Sequence, residues 1–508
     1  MKKTGVEFQT SDEKLKKIFD GALAAAKKNY IKVDNGHIIQ EGGGYVGLWN
    51  EGASYQAEML APFDLETAFY QVEVVRRMQR RDGRVPGMIK IFTSTDAECQ
   101  YEDCPVEAAG LVAYYGWLQG FSYAEHALNM YYYLGLDNAY LEKVYDCLES
   151  YDKYLWAHRD SDGDGCLETW CEWDTGDDNS VMVEGMLHGW GEDDILPSDG
   201  VAPFESMDAM SWSYNMRDTL AKISRILDNG KEQYWKDAAQ AVQDKLHDYL
   251  WIEDKAACYN RDKNNEFVDI LVNNNIRCLY YGSFSQDMAD KFITKHMLNP
   301  EEFWTPMPFP SIAFNDPHYV SKDGNSWSGQ TQGHTVVRGM YGFDKYGYYA
   351  EETELGKRIF NAVTENCYFP QQWDPQTCRP NSFGENNNYT PILLAALTMI
   401  ARLHGVTIQG NEIWWAAVED GSESTYVQHF GDKEYKLEVR KDNRVYCFLD
   451  GEEIFNFDTG FRVITDYEGN IKRLVRIEED SKAIIINKRK YRLHKNEVLK
   501  VVMQRFKG

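Results

Sequence analysis

Positive charge is scarce in this chain of 508 residues. Its 54 Lys and Arg face 80 Asp and Glu, a net charge of −26, and such an envelope repels phosphate backbones and anionic lipid headgroups. Neither a nucleic-acid nor a membrane partner is expected. Long apolar runs are also missing. No stretch approaches the roughly 20 residues a membrane span needs, and in MKKTGVEFQTSDEKLKK no apolar segment follows the leading lysines, so no signal peptide is read. A cytoplasmic protein is expected. Close C-x-x-C pairs are absent from the ten cysteines, whose tightest pairs, Cys99/Cys104 and Cys166/Cys171, have four residues between them. That spacing does not match a zinc site, and reduced thiols suit the expected location better than a disulfide framework. No G-x-x-x-x-G-K-[ST] loop and no strand-linked G-x-G-x-x-G occurs, so no nucleotide cofactor is indicated and none is required. Gly42-Gly43-Gly44 reads as a pocket-edge turn.

What is present is 43% hydrophobic and 14% aromatic residues, enough for a large core. Up to about residue 409 the pattern is helical. Leu15, Ile18, Phe19 and Leu23 form one stripe, Leu141, Val144, Tyr145, Leu148, Tyr151 and Leu155 a second, and Trp235, Ala238, Val242, Leu246 and Tyr249 a third. Segments 107–133 and 391–404 are evenly apolar and read as inner helices, and Gly135, Gly230 and Gly405 read as helix ends. Past residue 410 short β-rich runs such as EYKLEVR and RVYCFLD alternate with turns. The expectation is a mainly α protein: residues 1–409 as an α-toroid and 410–508 as a small all-β domain that packs on it or mediates a homodimer. Residues 411–508 hold 18 basic and 18 acidic side chains, so the net charge resides on the helical part, with 36 against 62.

Two loops carry the candidate chemistry. In Asp160-Ser161-Asp162-Gly163-Asp164-Gly165-Cys166-Leu167-Glu168, alternating carboxylates offer oxygens to Ca²⁺ through Asp160, Asp162, Asp164 and Glu168. Cys171 stands where an EF-hand needs its bidentate Glu, so the loop is either a different calcium site or an Asp/Gly turn bonded to its own amides. The next run, Cys171-Glu172-Trp173-Asp174-Thr175-Gly176-Asp177-Asp178-Asn179-Ser180, is the densest cluster of acids and indoles. Crowded carboxylates hold one of their number protonated near neutral pH, which is how a general acid is made; the alternative is an acidic loop that caps the next helix. Trp49 with Asn50 and Glu51, Trp173, Trp212, Trp327 and Trp373 lie beside polar residues, as sugar-stacking platforms do. Glu205 and Asp208 are further candidates, with helix N-capping as their alternative.

The run Trp-Asp-Thr-Gly-Asp-Asp-Asn-Ser resembles the G-x-D-N-S loop of the (α/α)6-barrel glycosidases related to family 63 glucosidases, mannosylglycerate hydrolases and trehalases. Gln79 to Pro86 resembles that family's Q-x-x-D-G-x-x-P loop, Asn299 to Trp304 its N-P-x-x-F-W stretch, and Ser326 to Gln330 its W-x-G-x loop. Their order spans most of residues 40–405. The resemblance implies Asp178 as general acid and places Trp49, Trp327 and Gln330 in substrate-contacting loops; Asp174, Gln371, Trp373 and Asp374 are further substrate-binding candidates. Members carry a general-base Glu three residues before a D-P-x-T-G turn. Here Gln371 precedes Asp374-Pro375-Gln376-Thr377, and an amide cannot accept a proton from water. Glu385, before the inner helix, is expected as the base, with Glu365 as its alternative.

The implied reaction is inverting, exo-acting α-glycoside hydrolysis of a short oligosaccharide or small glycoside, with carboxyls roughly 6.5–9.5 Å apart. A sugar phosphorylase or epimerase would need a basic pocket residue or facing histidines, and His188 and His334 have no partner by spacing. A non-catalytic sugar-binding protein is the other alternative, kept open by Gln371.

Overall fold

The computed structural model describes residues 2–33, 36–91, 111–184, 186, 204–322, 326–363, 367–380, 388–486 and 488–504. Up to His404 they are mainly helical. The helices are α1 (Glu13–Lys28), α2 (Ala53–Leu60), α3 (Leu65–Arg77), α4 (Tyr123–Tyr133), α5 (Asn138–His158), α6 (Met207–Leu227), α7 (Glu232–Leu250), α8 (Asn274–Tyr281), α9 (Gln286–Phe292), α10 (Gly333–Tyr346), α11 (Tyr349–Ala362) and α12 (Thr390–His404). Asp12, Asp64, Asp137 and Ser206 cap α1, α3, α5 and α6 by accepting from first-turn amides, satisfying donors that the helix leaves unpaired.

Burial separates two kinds of helix. In α2 and α8 every residue is buried, and in α12 all but Thr398. By contrast α7 buries only the Trp235, Ala239, Val242, Leu246 and Leu250 stripe, as a helix with one wet face does. The even-numbered helices pack on one another in chain order, α2 on α4, then α6, α8, α10 and α12, and α12 packs back on α2. Among the described residues no helix is long and apolar enough to cross a membrane.

Segment 107–133 departs from the expected inner helix. Its described part opens with a strand, Leu111–Tyr114, which joins Gly47–Trp49 and Met88–Ile91 in a three-stranded sheet, and α4 begins only at Tyr123. The link between them cannot be helical, because Gln119 (φ 56°) and Gly120 (φ 68°) are left-handed. A Cβ on Gly120 would lie 2.8 Å from the Glu51 Cβ, so glycine is required where this loop crosses the cavity wall. Trp212, expected as a sugar-stacking platform, is fully buried in α6.

From Val406 onward the chain is β-rich. Two antiparallel five-stranded sheets form, one in the order Thr4–Thr10, Ser424–Phe430, Lys433–Val439, Arg444–Leu449, Glu452–Asp458, the other Val406–Gln409, Glu412–Ala417, Phe461–Thr465, Ile471–Arg476, Val498–Met503. The N-terminal strand thus completes a sheet otherwise made by the far end of the chain, with Phe8 opposite Tyr426. A buried ion network ties the two regions. Glu352 on α11 accepts from Arg402 on α12 at 2.5 Å and from Arg462 in the second sheet at 3.0 Å, and Asp344 on α10 accepts from Arg462 at 3.1 Å. Both guanidiniums lie over the Trp414 ring. The eight described cysteines are free thiols.

Candidate active site

The acidic loop after Trp170 divides its carboxylates between scaffold and cavity. Asp174 is fully buried, pairs with Arg159 at 2.6 Å and accepts from the amides of Trp170 and Leu118, each at 2.7 Å. Burial pushes its carboxyl up, but Arg159 and these amides outweigh that and hold it below the usual range. Asp177 accepts from Arg277 and, at 2.8 Å, from Asn274 on α8, while Glu172 accepts from the Asn179 amide. Gly176 (φ 80°) allows the turn between them, and a Cβ there would lie 2.8 Å from Glu51 Oε2.

Asp178 is the member presented to the cavity. Burial first, then the charges of Glu51, Asp177 and Glu172, push its carboxyl up to about 7 despite an opposing backbone hydrogen bond. At the same cavity Glu51 accepts from Arg338 at 3.0 Å and lies 3.5 Å from His334. Burial raises its carboxyl too, but His334, Arg338 and Arg277 prevail and hold it low. Two carboxyls at one cavity are thereby driven to opposite protonation states, the arrangement that separates an acid from a permanent anion.

The cavity holds about 270 Å³. Its aromatic wall is Tyr45, Trp49, Trp117, Trp173 and Trp327; Glu41, Glu51, Asp178, Gln119 and Gln371 supply polar groups, and no Lys or Arg lines it among the described residues. The three-stranded sheet carries Trp49 and Met88 to this wall, and Trp117 meets Trp173 edge-on at 5.3 Å. Apolar ring faces with a few convergent polar groups suit a sugar, which offers C–H faces and hydroxyls.

The structure therefore brings together Trp49, Glu51, Trp173, Asp178, Trp327 and Gln371. Other expected site residues are engaged elsewhere. Asn50 donates to Gly120 O and holds the loop backbone, and Asp208 is buried between Arg277 and Asn274. Gln330 donates to Lys322 O, Trp373 is buried outside the cavity wall, and Asp374 accepts from Thr377 and Gln376 across its own turn. Asp174 serves the scaffold as described, and Glu205 lies beside the aspartate loop 160–164. Glu385, Glu365 and His188 lie outside the described residues.

Sequence reasoning missed Glu41, Tyr45, Met88, Trp117 and Gln119. The first two flank the glycine run read as a pocket edge, which was the available signal; Trp117 and Gln119 were hidden inside a segment read as helix. His334, at the start of α10, donates to Glu41 at 3.0 Å and contacts the Tyr55 hydroxyl.

In the calcium-candidate loop, carboxylate oxygens of Asp160, Asp162 and Asp164 lie within 4.8 Å of one another, as do those of Asp162, Glu168 and Glu205. Part of the loop does bond to its own amides, with Asp164 N on Asp162 and Cys166 N on Asp164. Glu205 is different: it is buried, its Oε2 has no hydrogen-bond partner, and burial followed by the charges of Asp164, Glu168 and Asp162 pushes its carboxyl up to about 8 against a bond from Cys166. An all-oxygen donor set with one orphaned buried oxygen fits a hard cation.

Solved structures with a similar fold include three of known class. The GH63 mannosylglycerate hydrolase from Thermus thermophilus in complex with glucose is 15% identical, with a TM-score of 0.59 over 75% of this chain and 99% of that one. Neutral trehalase Nth1 from Saccharomyces cerevisiae is 12% identical, with a TM-score of 0.53 over 75% of this chain and 79% of its own. The α-L-rhamnosidase from Dictyoglumus thermophilum is 14% identical, with a TM-score of 0.55 over 99% of this chain and 50% of its own. No curated protein matches the chain in sequence. Residues 45–390 match the family described as the mannosylglycerate hydrolase MGH1-like glycoside hydrolase domain, and this span takes in the acidic loop, the tryptophan wall and every helix from α2 to α11: the chain belongs to that family of glycoside hydrolases.

Proposed function

We propose that this glycoside hydrolase is a cytoplasmic, exo-acting α-glycosidase that works with inversion on a short oligosaccharide or small glycoside. Asp178 protonates the leaving oxygen, and Trp49, Trp173 and Trp327 hold the sugar. The observation that carries the reading is Asp178 itself, a carboxyl raised to about 7 at an aromatic-walled cavity, since a general acid works best with its pKa near the operating pH. The helices are read as an (α/α)6 toroid formed by residues 1–409, with 410–508 as its β accessory domain; the neighbour order of the even helices supports this.

Proton NMR of the protein with α-linked gluco-, manno- and galacto-disaccharides, glucosylglycerate and mannosylglycerate tests it. The β-anomer of the released sugar is expected first, before mutarotation. An early α-anomer would rule out inversion. Gln371 in the cavity wall favours one other reading, a sugar-binding protein without turnover, and absence of any release would support that instead.

We also propose that Asp160, Asp162, Asp164, Glu168 and Glu205 bind a structural Ca²⁺. Ca²⁺ at about 100 times its Kd is expected to stabilise the fold by roughly 2.7 kcal/mol. The melting temperature should rise with Ca²⁺ and return with EDTA, and Glu205→Gln should remove the response. An identical response in Glu205→Gln would exclude Glu205 from the site.

A further inference from the structure

The hydrolase reading leaves one carboxylate unassigned, because Gln371 stands where the family resemblance expects the base. We propose that Glu41 is the general base, an assignment that rests on the glycosidase reading above. Three carboxylates line the cavity among the described residues. Asp178 is the acid. Glu51 has both oxygens engaged, Oε2 by Arg338 at 3.0 Å and Oε1 by Gln119 at 3.4 Å. Glu41 differs from both. Its Oε1 accepts from Tyr389 Oη at 2.7 Å and from His334 Nε2 at 3.0 Å, whereas its buried Oε2 has no hydrogen-bond partner. A buried carboxylate oxygen without a donor is costly unless water or a ligand supplies one. Glu41 lines the cavity, so a small turn of its carboxyl would offer that oxygen to an attacking water.

Glu41 also shares a corner with Gln371. Tyr45 Oη donates to Gln371 Oε1 at 3.2 Å, the Tyr45 and Tyr389 rings meet at 6.4 Å, and Tyr389 Oη holds Glu41. A carboxylate in the turn before Gly42 and the amide before Trp373 thus meet at one aromatic wall. The backbone fixes it there. Glu41 N donates to Gly47 O at 3.0 Å and Glu41 O accepts from Thr390 N at 2.8 Å. Gly42 (φ 74°) approaches so closely that a Cβ would lie 2.0 Å from Asn388 O, so only glycine permits the turn that aims Glu41.

In the step, the water oxygen bonds to the anomeric carbon and its proton passes to Glu41 Oε2. The glycosidic C–O bond breaks, and the leaving oxygen takes the Asp178 proton. The products are the inverted sugar and a free alcohol, and proton exchange with solvent restores both carboxyls.

The α-fluorides of glucose, mannose and galactose test the assignment, because fluoride leaves without protonation and turnover then reports on the attacking side. Glu41→Gln keeps an acceptor for Tyr389 and His334. It is expected to melt near the unsubstituted protein, to lose turnover roughly 10²–10⁴-fold, and to recover it with azide as the β-glycosyl azide, a rescue that a merely structural role would not give. Glu41→Ala carries the same azide test should Gln at this position impair folding. Turnover above about a tenth of the unsubstituted rate in Glu41→Gln, absence of azide rescue in a folded variant, or azide rescue of Glu385→Gln instead would each overturn the assignment. Should the unsubstituted protein turn over none of the three fluorides, the glycosidase reading falls, and Glu41 as base with it.

Discussion

Asp178→Asn lowers kcat/KM for an α-glycoside roughly 10²–10⁴-fold and, at alkaline pH, makes the protein more stable. Both effects have one origin. The carboxyl is raised from an ordinary 3.8 to about 7 by burial and by the charges of Glu51, Asp177 and Glu172. Between those values the folded protein holds a proton that the unfolded chain has released, so the side chain's favourable contribution is complete below pH 3.8, declines as pH rises, and is gone above about 7. Asn carries no charge and escapes that decline. Each pKa unit corresponds to about 1.36 kcal/mol. Screening at this half-buried position reduces the total to roughly 1–2 kcal/mol, read as a higher melting temperature of Asp178→Asn at pH 8 that vanishes by pH 4. The unsubstituted enzyme should lose kcat/KM with a midpoint near pH 7 on the alkaline limb, since the acid must be protonated to act. An Asn variant that turns over at the unsubstituted rate would remove Asp178 from the mechanism.

Glu352→Ala is expected to cost about 3–5 kcal/mol. Glu352 is fully buried and bridges Arg402 and Arg462, which are 2% and 1% exposed. Removing it strands two guanidiniums in the contact between helices and sheets, where Asp344 is left to serve both. The charges, more than the packing, decide the outcome. Replacing Glu352, Arg402 and Arg462 together by Met should recover much of the loss, because well-packed apolar side chains in place of a buried ion network are often neutral or better. Urea denaturation of the single and triple variants checks this, and equal losses in both would assign the effect to packing alone.

The helical pattern, the β-rich tail and the acidic loop were legible because each is written over short distances. The stripe Leu141, Val144, Leu148, Tyr151, Leu155 needs only a period of 3.6 residues, and Glu172 to Asp178 needs only crowding. The resemblance singled out Asp178, but the roles of its acidic neighbours were not legible. Asp174 and Asp177 are neighbours of Asp178 in sequence and identical in chemistry, yet Arg159 and Arg277, distant along the chain, recruit them into the scaffold and leave Asp178 for the cavity. The strand Thr4–Thr10 could not be placed either, since it gains meaning only against Ser424–Phe430.

Sequence by itself determined the secondary-structure classes, the family and the loop that bears the acid, because period, composition and contiguous motifs are local properties. Tertiary structure alone decided that Glu41, Tyr45, Trp117 and Gln119 join Asp178 at one cavity, that Gln371 faces it as an amide, and that Glu205 leans into the aspartate loop. Those neighbours are fixed by helix packing and by hydrogen bonds between residues tens to hundreds of positions apart, and no spacing along the chain encodes them.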